Sequence, residues 1–288
     1  MTLSDIQLAE NPANTLENKP HKGGLKQSNF PWWLVALILL IGLTFFLVLS
    51  GGNISDAFFF IKEGLSVTIL TTLAAFSIAL LIGLVTSLGR ISSNAFARNV
   101  ATFYVELIRG IPVLVLIFFI ALVGVPSLVD ALGKLADSLG TWGAPLRGLR
   151  NDSIPMQARA IIALSITFGA YLSETFRAGI QSVPKGQMEA ARSQGMSHGQ
   201  AMRHIILPQA FRNILPAIGN EFISLLKDSS LVSVLAVRDI TQLARLYSGR
   251  TFQFRESYLT LSVLYLSITL VLSSLVKYIE KRSRRDQR

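Results

Sequence analysis

Seven charged side chains interrupt stretches of sequence that are otherwise apolar, and they are the first candidates for chemistry. They are Glu106, Arg109, Glu174, Arg177, Glu221, Lys227 and Asp228. An ionisable group at the centre of a bilayer costs on the order of 3 kcal/mol on insertion scales, so each one needs a partner or a purpose. Carboxylates and cations in a shared, water-filled cavity can bind the ammonium and carboxylate groups of a zwitterion. These seven residues therefore predict either a polar path for a substrate across the membrane or ion pairs that stabilise the packing of helices.

Two pairs among these charges can neutralise themselves. Glu106 is followed three residues later by Arg109, and Glu174 is followed by Arg177 at the same spacing. Side chains three positions apart lie on one face of a helix and can form an ion pair. A structural role is open for both pairs, and Arg109 and Glu174 are also candidates for lining a substrate path.

Three further charges lie in one apolar run. Glu221 and Asp228 are seven residues apart and share a helix face, whereas Lys227 points about 100° away from Asp228. Two carboxylates on the same helix face cannot neutralise each other. These three residues are therefore the favoured candidates for the substrate path, with salt bridging between helices or at the lipid edge as the alternative.

Two prolines accompany these charges. Pro112 and Pro216 remove backbone hydrogen bonds and predict kinks in their helices. The freed carbonyl groups can coordinate a substrate or be satisfied by neighbouring helices.

Other residue types restrict the chemistry. The chain has no cysteine and three histidines, His21, His198 and His204, so thiol chemistry and disulfides are excluded and a metal site is not expected. It has no Gly-x-x-x-x-Gly-Lys-Ser/Thr phosphate loop. We therefore predict that the chain is not an enzyme and holds no cofactor of its own.

Membrane helices must position these residues. The chain has 288 residues, of which 51% are hydrophobic and 15% charged, whereas soluble domains have about 25% charged residues. Crossing a bilayer takes about 20 apolar residues, and lipid offers the backbone no water partner, so we predict an all-α membrane protein. About six spans are predicted, at 31–50, 64–88, 99–125, 160–181, 213–237 and 257–276.

The distribution of Lys and Arg predicts the orientation. Outside the spans these residues are more numerous on the side of the two termini, which places both termini in the cytoplasm. Topology rather than nucleic-acid binding explains the net charge of +10. Residues 1–29 are predicted to be a disordered cytoplasmic tail and 281–288 a basic one. The last outer loop carries four arginines against this trend, which suggests a function at the outer surface.

The long outer loop at 126–155 contains a helical pattern. Leu128, Leu132, Leu135 and Leu139 recur at helical spacing with charged residues between them. The pattern predicts a short amphipathic helix, packed on its own bundle or lying on the membrane surface or another protein.

The connection between the fourth and fifth spans has the most specific pattern. Helix-forming residues fill 187–194, and Gly195 is a typical helix stop. Ser197 with Gln200 matches a capping box, which restarts a helix. Two short helices joined by a tight turn are therefore predicted at the membrane surface.

This connection resembles the EAA motif of ABC importer permeases. The matching residues are Glu189, Ala190, Ala191, Gly195, Ile205, Leu207 and Pro208, all at the spacing of the motif. The segment 105–115 is similar to the Arg-Gly-Thr-Pro signature of polar amino-acid permeases, with Ile111 in place of the usual Thr. Segments 170–184 and 215–231 are similar to histidine, glutamine and glutamate permeases. The resemblance covers roughly 64–276.

The resemblance implies a type I ABC importer permease fold in a bacterial inner membrane. Residues 64–280 would form the transmembrane domain, and 30–63 an additional helix with an outer loop. The motif loop would be a cytoplasmic coupling helix inserted into an ATPase dimer, which binds ATP and magnesium. An external solute-binding protein would deliver a polar amino acid, and a second permease chain, identical or homologous, would complete the pathway.

Two other classes of function remain as alternatives. A self-sufficient secondary amino-acid transporter would show an inverted repeat and an ion site near the membrane midplane, and no repeat is evident. A membrane enzyme would need a catalytic constellation, and no such set is evident in the sequence.

Overall fold

The computed structural model describes residues 32–144 and 148–285, so the predicted tail at 1–29 lies outside the described residues. Every regular element within them is helical, which confirms the all-α prediction. The α-helices are α1 (Trp32–Leu49), α2 (Asn53–Ile61), α3 (Leu65–Ile91), α4 (Ala95–Arg109), α5 (Val113–Phe119), α6 (Val125–Ser138), α7 (Met156–Gln181), α8 (Lys185–Ser193), α9 (His198–Ala201), α10 (Leu207–Asp228), α11 (Ile240–Thr251) and α12 (Phe254–Arg285). Short 3-10 segments lie at Lys62–Gly64, Gly140–Gly143, Asn151–Ser153 and Ser229–Leu235, and π-helical turns at Ile120–Gly124 and Met202–Ile206.

The chain divides into two compact units, residues 1–40 and residues 41–288. The described part of the first unit is the apolar beginning of α1. The second unit contains the remainder of α1 and the other eleven numbered helices, and every residue of the candidate site lies in it.

Three helical stretches among the described residues are long and apolar enough to cross a membrane. By length and composition these are Asn53–Ile91, Val113–Ser138 and Phe254–Arg282. The first joins α2 to α3 through a 3-10 turn, so the segment that follows α1 is helical rather than an open loop. The predicted spans at 31–50 and 160–181 coincide in position with α1 and α7, whereas the span at 213–237 overlaps α10 only as far as Asp228 and continues as the 3-10 segment Ser229–Leu235.

The third predicted span is broken. The prediction of one helix over 99–125 is wrong, because α4 ends at Arg109 and α5 begins at Val113. Pro112 precedes α5 with extended backbone, and it has no N–H to continue the hydrogen bonding of α4. Helical backbone is also disfavoured for the residue that precedes a proline. Pro112 therefore ends one helix and starts the next, where a kink was predicted.

The amphipathic pattern of the outer loop belongs to this same stretch. The predicted short helix is present as α6, which continues from α5 through a π turn. Val129 and Ala136 on α6 are buried, whereas Leu128 and Leu135 are exposed. One face of α6 thus packs on its own bundle.

A buried arginine donates a hydrogen bond to a backbone carbonyl that the π turn leaves without a backbone partner. The N–H of Val125 donates to the carbonyl oxygen of Ile120, and Pro126, the next residue, has no N–H to donate to Ala121. The Arg159 guanidinium donates to the Ala121 oxygen at 3.2 Å and also to the carbonyl oxygens of two residues in the loop before α7. Buried backbone carbonyls need such partners. Arg159 therefore ties the outer loop to the end of α5.

Small residues bring α3 and α7 together. A Cβ atom added at Gly83 would lie 2.7 Å from the Leu172 Cβ, and one added at Gly169 would also clash with α3. The Ser165 hydroxyl donates to the Ala75 carbonyl oxygen across this interface at 3.2 Å. Helices in membranes associate through such small residues, because these allow close backbone approach.

Gly64 is a second point of close approach, and we expect Gly64→Ala to destabilise the protein. An added Cβ would lie 2.5 Å from the carbonyl carbon of Asp239 and 2.6 Å from the nitrogen of Ile240. Backbone atoms cannot rotate aside, and overpacking costs about 1–3 kcal/mol. The measurement is the melting temperature of the purified protein in detergent.

Gly133→Ala is the matched control. It lies inside α6, where nothing lies within 4 Å of an added Cβ. Alanine in an open helical position is neutral or slightly stabilising. Equal melting temperatures for the two variants would contradict the close packing at Gly64.

Candidate functional site

The loop between α7 and α10 folds into the two short helices that were predicted. α8 ends at Ser193, and Gly195 follows with a φ of +81°, a conformation that glycine adopts without steric cost. The Ser197 hydroxyl accepts from the backbone N–H of Gln200 at 3.3 Å, and the Gln200 side-chain oxygen accepts from the N–H of Ser197 at 2.9 Å. The predicted helix stop and capping box are both confirmed.

A small apolar core anchors this loop to the bundle. Val183, Ile206 and Ala210 are buried together, and two methionines, Met188 and Met202, pack against them. The loop is therefore held on one side, and its other side is free to meet a partner.

The seven motif residues divide between these two sides. Glu189, Ala190, Gly195 and Pro208 are exposed, Ile205 and Leu207 are half-buried, and Ala191 is buried. Glu189 and Ala190 therefore lie on the exposed side of α8, and Ala191 lies on its packed side.

An ion cluster joins α3, α4 and α7. The Glu174 carboxylate pairs with Arg90 at the end of α3 and with Arg177 on its own helix. Arg90 also lies 3.8 Å from Glu106 on α4. The predicted Glu174–Arg177 pair is thus confirmed. The predicted pair of Glu106 with Arg109 is wrong, because Arg90 from a neighbouring helix is the partner of Glu106.

A cavity of about 610 Å³ opens beside this cluster, between α7, α10 and α12. Its walls include Glu174, Ser182, Arg212, Asn213 and Glu280. The Asn213 amide donates to the Ser182 hydroxyl at 3.0 Å. Within the described ranges Arg212 makes no salt bridge. The cavity therefore offers carboxylate, guanidinium and amide groups to a polar ligand.

Arg109 at the end of α4 lies beside an aromatic ring and acts on Glu221 of α10 through its charge. The Arg109 guanidinium lies 5.9 Å from the centre of the Tyr171 ring. It is close enough to Glu221 for their charges to attract. A like-charge interaction also reaches Glu221 from Asp228, as their shared helix face predicts.

The remaining predicted path residues lie at the end of α10. Lys227 is exposed and Asp228 is half-buried. Neither lines the cavity, and neither do Arg109 and Glu221. Of the five predicted path residues, the structure places Glu174 at the cavity.

The sequence prediction missed further polar residues of the cluster and cavity, among them Arg90, Arg212 and Asn213. All three lie at or just beyond the ends of apolar runs, where Lys and Arg serve as topology signals. No local spacing connects them, because they meet only through helix packing.

Similarity to known proteins extends over most of the chain. Residues 79–285 match the family described as binding-protein-dependent transport system inner membrane component. The probable glutamine ABC transporter permease protein GlnM of Bacillus subtilis is 38% identical over 227 residues, which cover 79% of this chain and 94% of the relative. The histidine/lysine/arginine/ornithine transport system permease protein HisQ of Escherichia coli is 33% identical over 222 residues, which cover 77% of this chain and 92% of the relative.

Solved structures show the same architecture. The crystal structure of an amino acid ABC transporter with histidines superposes with a TM-score of 0.64 at 38% identity, covering 77% of this chain and 94% of that chain. An inward-facing structure of the MetNI methionine ABC transporter superposes with a TM-score of 0.52 at 19% identity, covering 78% of this chain and 94% of that chain. The second likeness concerns the fold alone.

Proposed function

The chain belongs to the family of binding-protein-dependent transport system inner membrane components, and from this we propose that it is the membrane permease subunit of an ABC importer for polar amino acids. Its relatives include a probable glutamine permease and a histidine/lysine/arginine/ornithine permease. Polar L-amino acids are the substrate class that these names share. Transport proceeds into the cytoplasm by alternating access.

One observation on the molecule carries this proposal, the anchored loop of α8 and α9 with Glu189 and Ala190 on its exposed side. Under the proposal this loop is the coupling helix, and it inserts into a groove of an ATPase dimer. ATP and magnesium bind to that partner, and this chain hydrolyses nothing. Across the described part of the chain, no group of three or more His, Asp or Glu side chains is arranged to hold a metal ion.

The proposal includes a topology. Six helices cross the bacterial inner membrane, with both termini in the cytoplasm. Residues 64–280 form the transmembrane domain, 30–63 add a helix before it, and 281–288 form a basic cytoplasmic end. A second permease chain, identical or homologous, completes the pathway, and an external solute-binding protein supplies the substrate. The excess of Lys and Arg on the side of the termini supports this orientation.

The substrate path is proposed to follow the charged residues. Glu174 faces the cavity, and the charge of Arg109 attracts Glu221 on α10. Lys227 and Asp228 lie at the end of α10. A zwitterionic amino acid needs fixed charges of both signs, and these helices supply them.

Reconstitution tests the proposed function. We expect uptake of a polar amino acid into proteoliposomes only when this chain, its partner permease if distinct, the ATPase, the solute-binding protein and ATP are all present. Omission of ATP or of the ATPase is the control. Uptake driven by an ion gradient with this chain alone would overturn the proposal in favour of a secondary transporter.

The segment at 1–29 is expected to be dispensable. It carries no apolar period and precedes the region that matches the family. Its deletion should leave the uptake rate within about twofold, because it contributes to neither the coupling loop nor the charged helices. Loss of uptake at a normal membrane level of the protein would contradict this expectation and assign the segment a role in regulation or assembly.

A further inference from the structure

An unexplained concentration of arginine lies between α10 and the first turn of α12. Arg238, Arg245, Arg250 and Arg255 occur there, and residues 238–258 contain no lysine. Under the proposed function this segment faces the outside, where the positive-inside rule disfavours Lys and Arg. Topology therefore does not account for these four residues.

α11 holds part of this segment in a fixed position. Ile240, Ala244 and Tyr247 are buried in an apolar cluster with residues of α2 and α12. The opposite side of α11 exposes Arg245 and Gly249, which are one turn apart. The exposed residues are thus presented on a rigid element rather than on a flexible loop.

Carboxylates lie near this surface, including exposed Asp56 on α2, whose charge reaches Tyr247 of α11, but two of the arginines form no salt bridge with the described residues. Asp239 is fully buried where it caps α11, and burial raises the pKa of its carboxyl to about 6. Glu256 pairs with Arg255 at 3.1 Å. Arg238 and Arg245 are exposed and form no salt bridge within the described ranges. Guanidinium groups are therefore available to a partner.

An exposed phenylalanine follows α11 in a strained conformation. Phe252 has a φ of +58° and is 79% exposed. Positive φ is an outlier for a bulky side chain, and glycine would fit this position without strain. Strained residues cluster at binding and active sites. The backbone here holds an aromatic ring out from the surface, two residues after Arg250, whose guanidinium lies 5.9 Å from the centre of the Phe60 ring.

We propose that Arg238, Arg245, Arg250 and Phe252, the outer arginine patch, dock an acidic surface of the solute-binding protein. The inference rests on the proposed function for its orientation and for the existence of that partner. Arginine and aromatic residues are enriched in protein interfaces and lysine is depleted, which matches the composition of the patch. Complementary charge would also accelerate the encounter of the two proteins.

Charge reversal tests the patch. The assembled transporter is placed in nanodiscs of neutral lipid, and the affinity of the binding protein is measured over a range of salt concentrations. We expect the Arg238→Glu/Arg245→Glu double variant to weaken binding at least tenfold at low salt and to flatten the salt dependence. The control is Arg150→Glu, an exposed arginine of another outer loop, paired with Asp152 at 3.3 Å. It should change the affinity less than twofold.

A second variant separates docking from stability. Phe252→Gly removes the strain of the positive φ, so we expect a melting temperature equal to or above that of the wild type. The affinity for the solute-binding protein should fall several-fold, because the exposed aromatic ring is lost. A lower melting temperature with unchanged binding would make Phe252 structural and would overturn its place in the patch.

The remaining outcomes are distinguishable. If the wild-type complex shows ATP-driven uptake and the arginine variant binds the solute-binding protein normally, the docking inference fails while the proposed function stands. If the variant loses affinity only in nanodiscs that contain phosphatidylglycerol, lipid occupies the patch and the inference also fails. If the wild-type complex shows no ATP-driven uptake, the proposed function itself fails.

Discussion

Replacing Gly195 with valine is expected to lower ATP-driven uptake by about tenfold while the protein stays in the membrane. Gly195 has a φ of +81° in the turn between α8 and α9. A residue with a Cβ pays about 1–2 kcal/mol in left-handed backbone, and each 1.4 kcal/mol is tenfold in an equilibrium. The turn would then leave its native conformation in most molecules, and the exposed side of the loop would no longer match the ATPase.

Gly199→Val is the control for this substitution. Gly199 lies in α9, has no positive φ, and has nothing within 4 Å of an added Cβ. Its replacement should retain most of the uptake and of the substrate-stimulated ATP hydrolysis. Equal losses in the two variants would show that bulk on the loop, rather than the turn at Gly195, is what matters.

Glu189→Lys examines the same loop through charge. The Glu189 side chain is exposed, so its reversal should leave the melting temperature unchanged while the ATPase no longer co-purifies with the permease. Glu63→Lys is a matched charge reversal at an exposed glutamate just before α3, which the proposed topology places on the outer side of the membrane. It should retain the ATPase. Normal ATPase binding and normal stimulated hydrolysis in both Glu189→Lys and Gly195→Val would refute the assignment of the coupling helix.

Replacing Glu174 with glutamine is expected to reduce uptake by at least tenfold. The Glu174 carboxylate pairs with Arg90 and Arg177 and also faces the cavity. Its loss removes the negative charge that can meet a substrate ammonium and leaves two partly buried cations without their partner. Breaking a fully buried ion pair costs about 3–5 kcal/mol, and partial exposure of this pair reduces that penalty. The measurements are uptake per molecule of protein and melting temperature.

The Arg90→Gln/Glu174→Gln double variant distinguishes the two roles of Glu174. It removes Arg90, which has lost its Glu174 partner, together with the carboxylate, so stability should recover in part while uptake remains low. If both stability and uptake recovered, the role of Glu174 would be structural rather than substrate binding. Glu106→Gln is the control, because Glu106 is 69% exposed in its side chain and lies 3.8 Å from Arg90. It should change uptake by less than about twofold and leave the melting temperature nearly unchanged, because exposed ion pairs contribute little to stability.

The charges of α10 are expected to respond differently from Glu174. Glu221→Gln and Asp228→Asn should lower substrate-dependent uptake more than protein level or basal ATP hydrolysis. Glu221 interacts with the charges of Arg109 and Asp228, so its neutralisation changes the field in the proposed path. Poor folding with normal uptake per surviving molecule would make these residues structural.

The local structure of the proposed coupling loop was predictable because its signals are local. A glycine at the end of a helix, and a serine followed by a glutamine three residues later, act on the backbone within one turn. Gly195, Ser197 and Gln200 therefore form the turn and the cap that their types predict. The same reason explains the pair of Glu174 with Arg177, which lies on one helix face.

Breaks and continuations between helices were harder to predict. An apolar pattern does not show whether a proline will kink a helix or end it, and Pro112 ends α4. An amphipathic pattern also does not show whether its helix stands alone. The π turn at Ile120–Gly124 joins α5 to α6, and its unpaired carbonyl is satisfied by Arg159, which is distant in sequence.

The sequence by itself determined the class of the molecule, since long apolar runs can only be helices in lipid, and it determined the local fold of the loop between α7 and α10 through its glycine stop and capping box. Tertiary structure decided which charges meet. Glu106 and Glu174 share Arg90 because α3, α4 and α7 pack together at that point, and the cavity exists because Arg212 and Asn213 on α10 face α7 there. Coulomb attraction depends on distance in space, and separation along the chain does not report that distance between different helices.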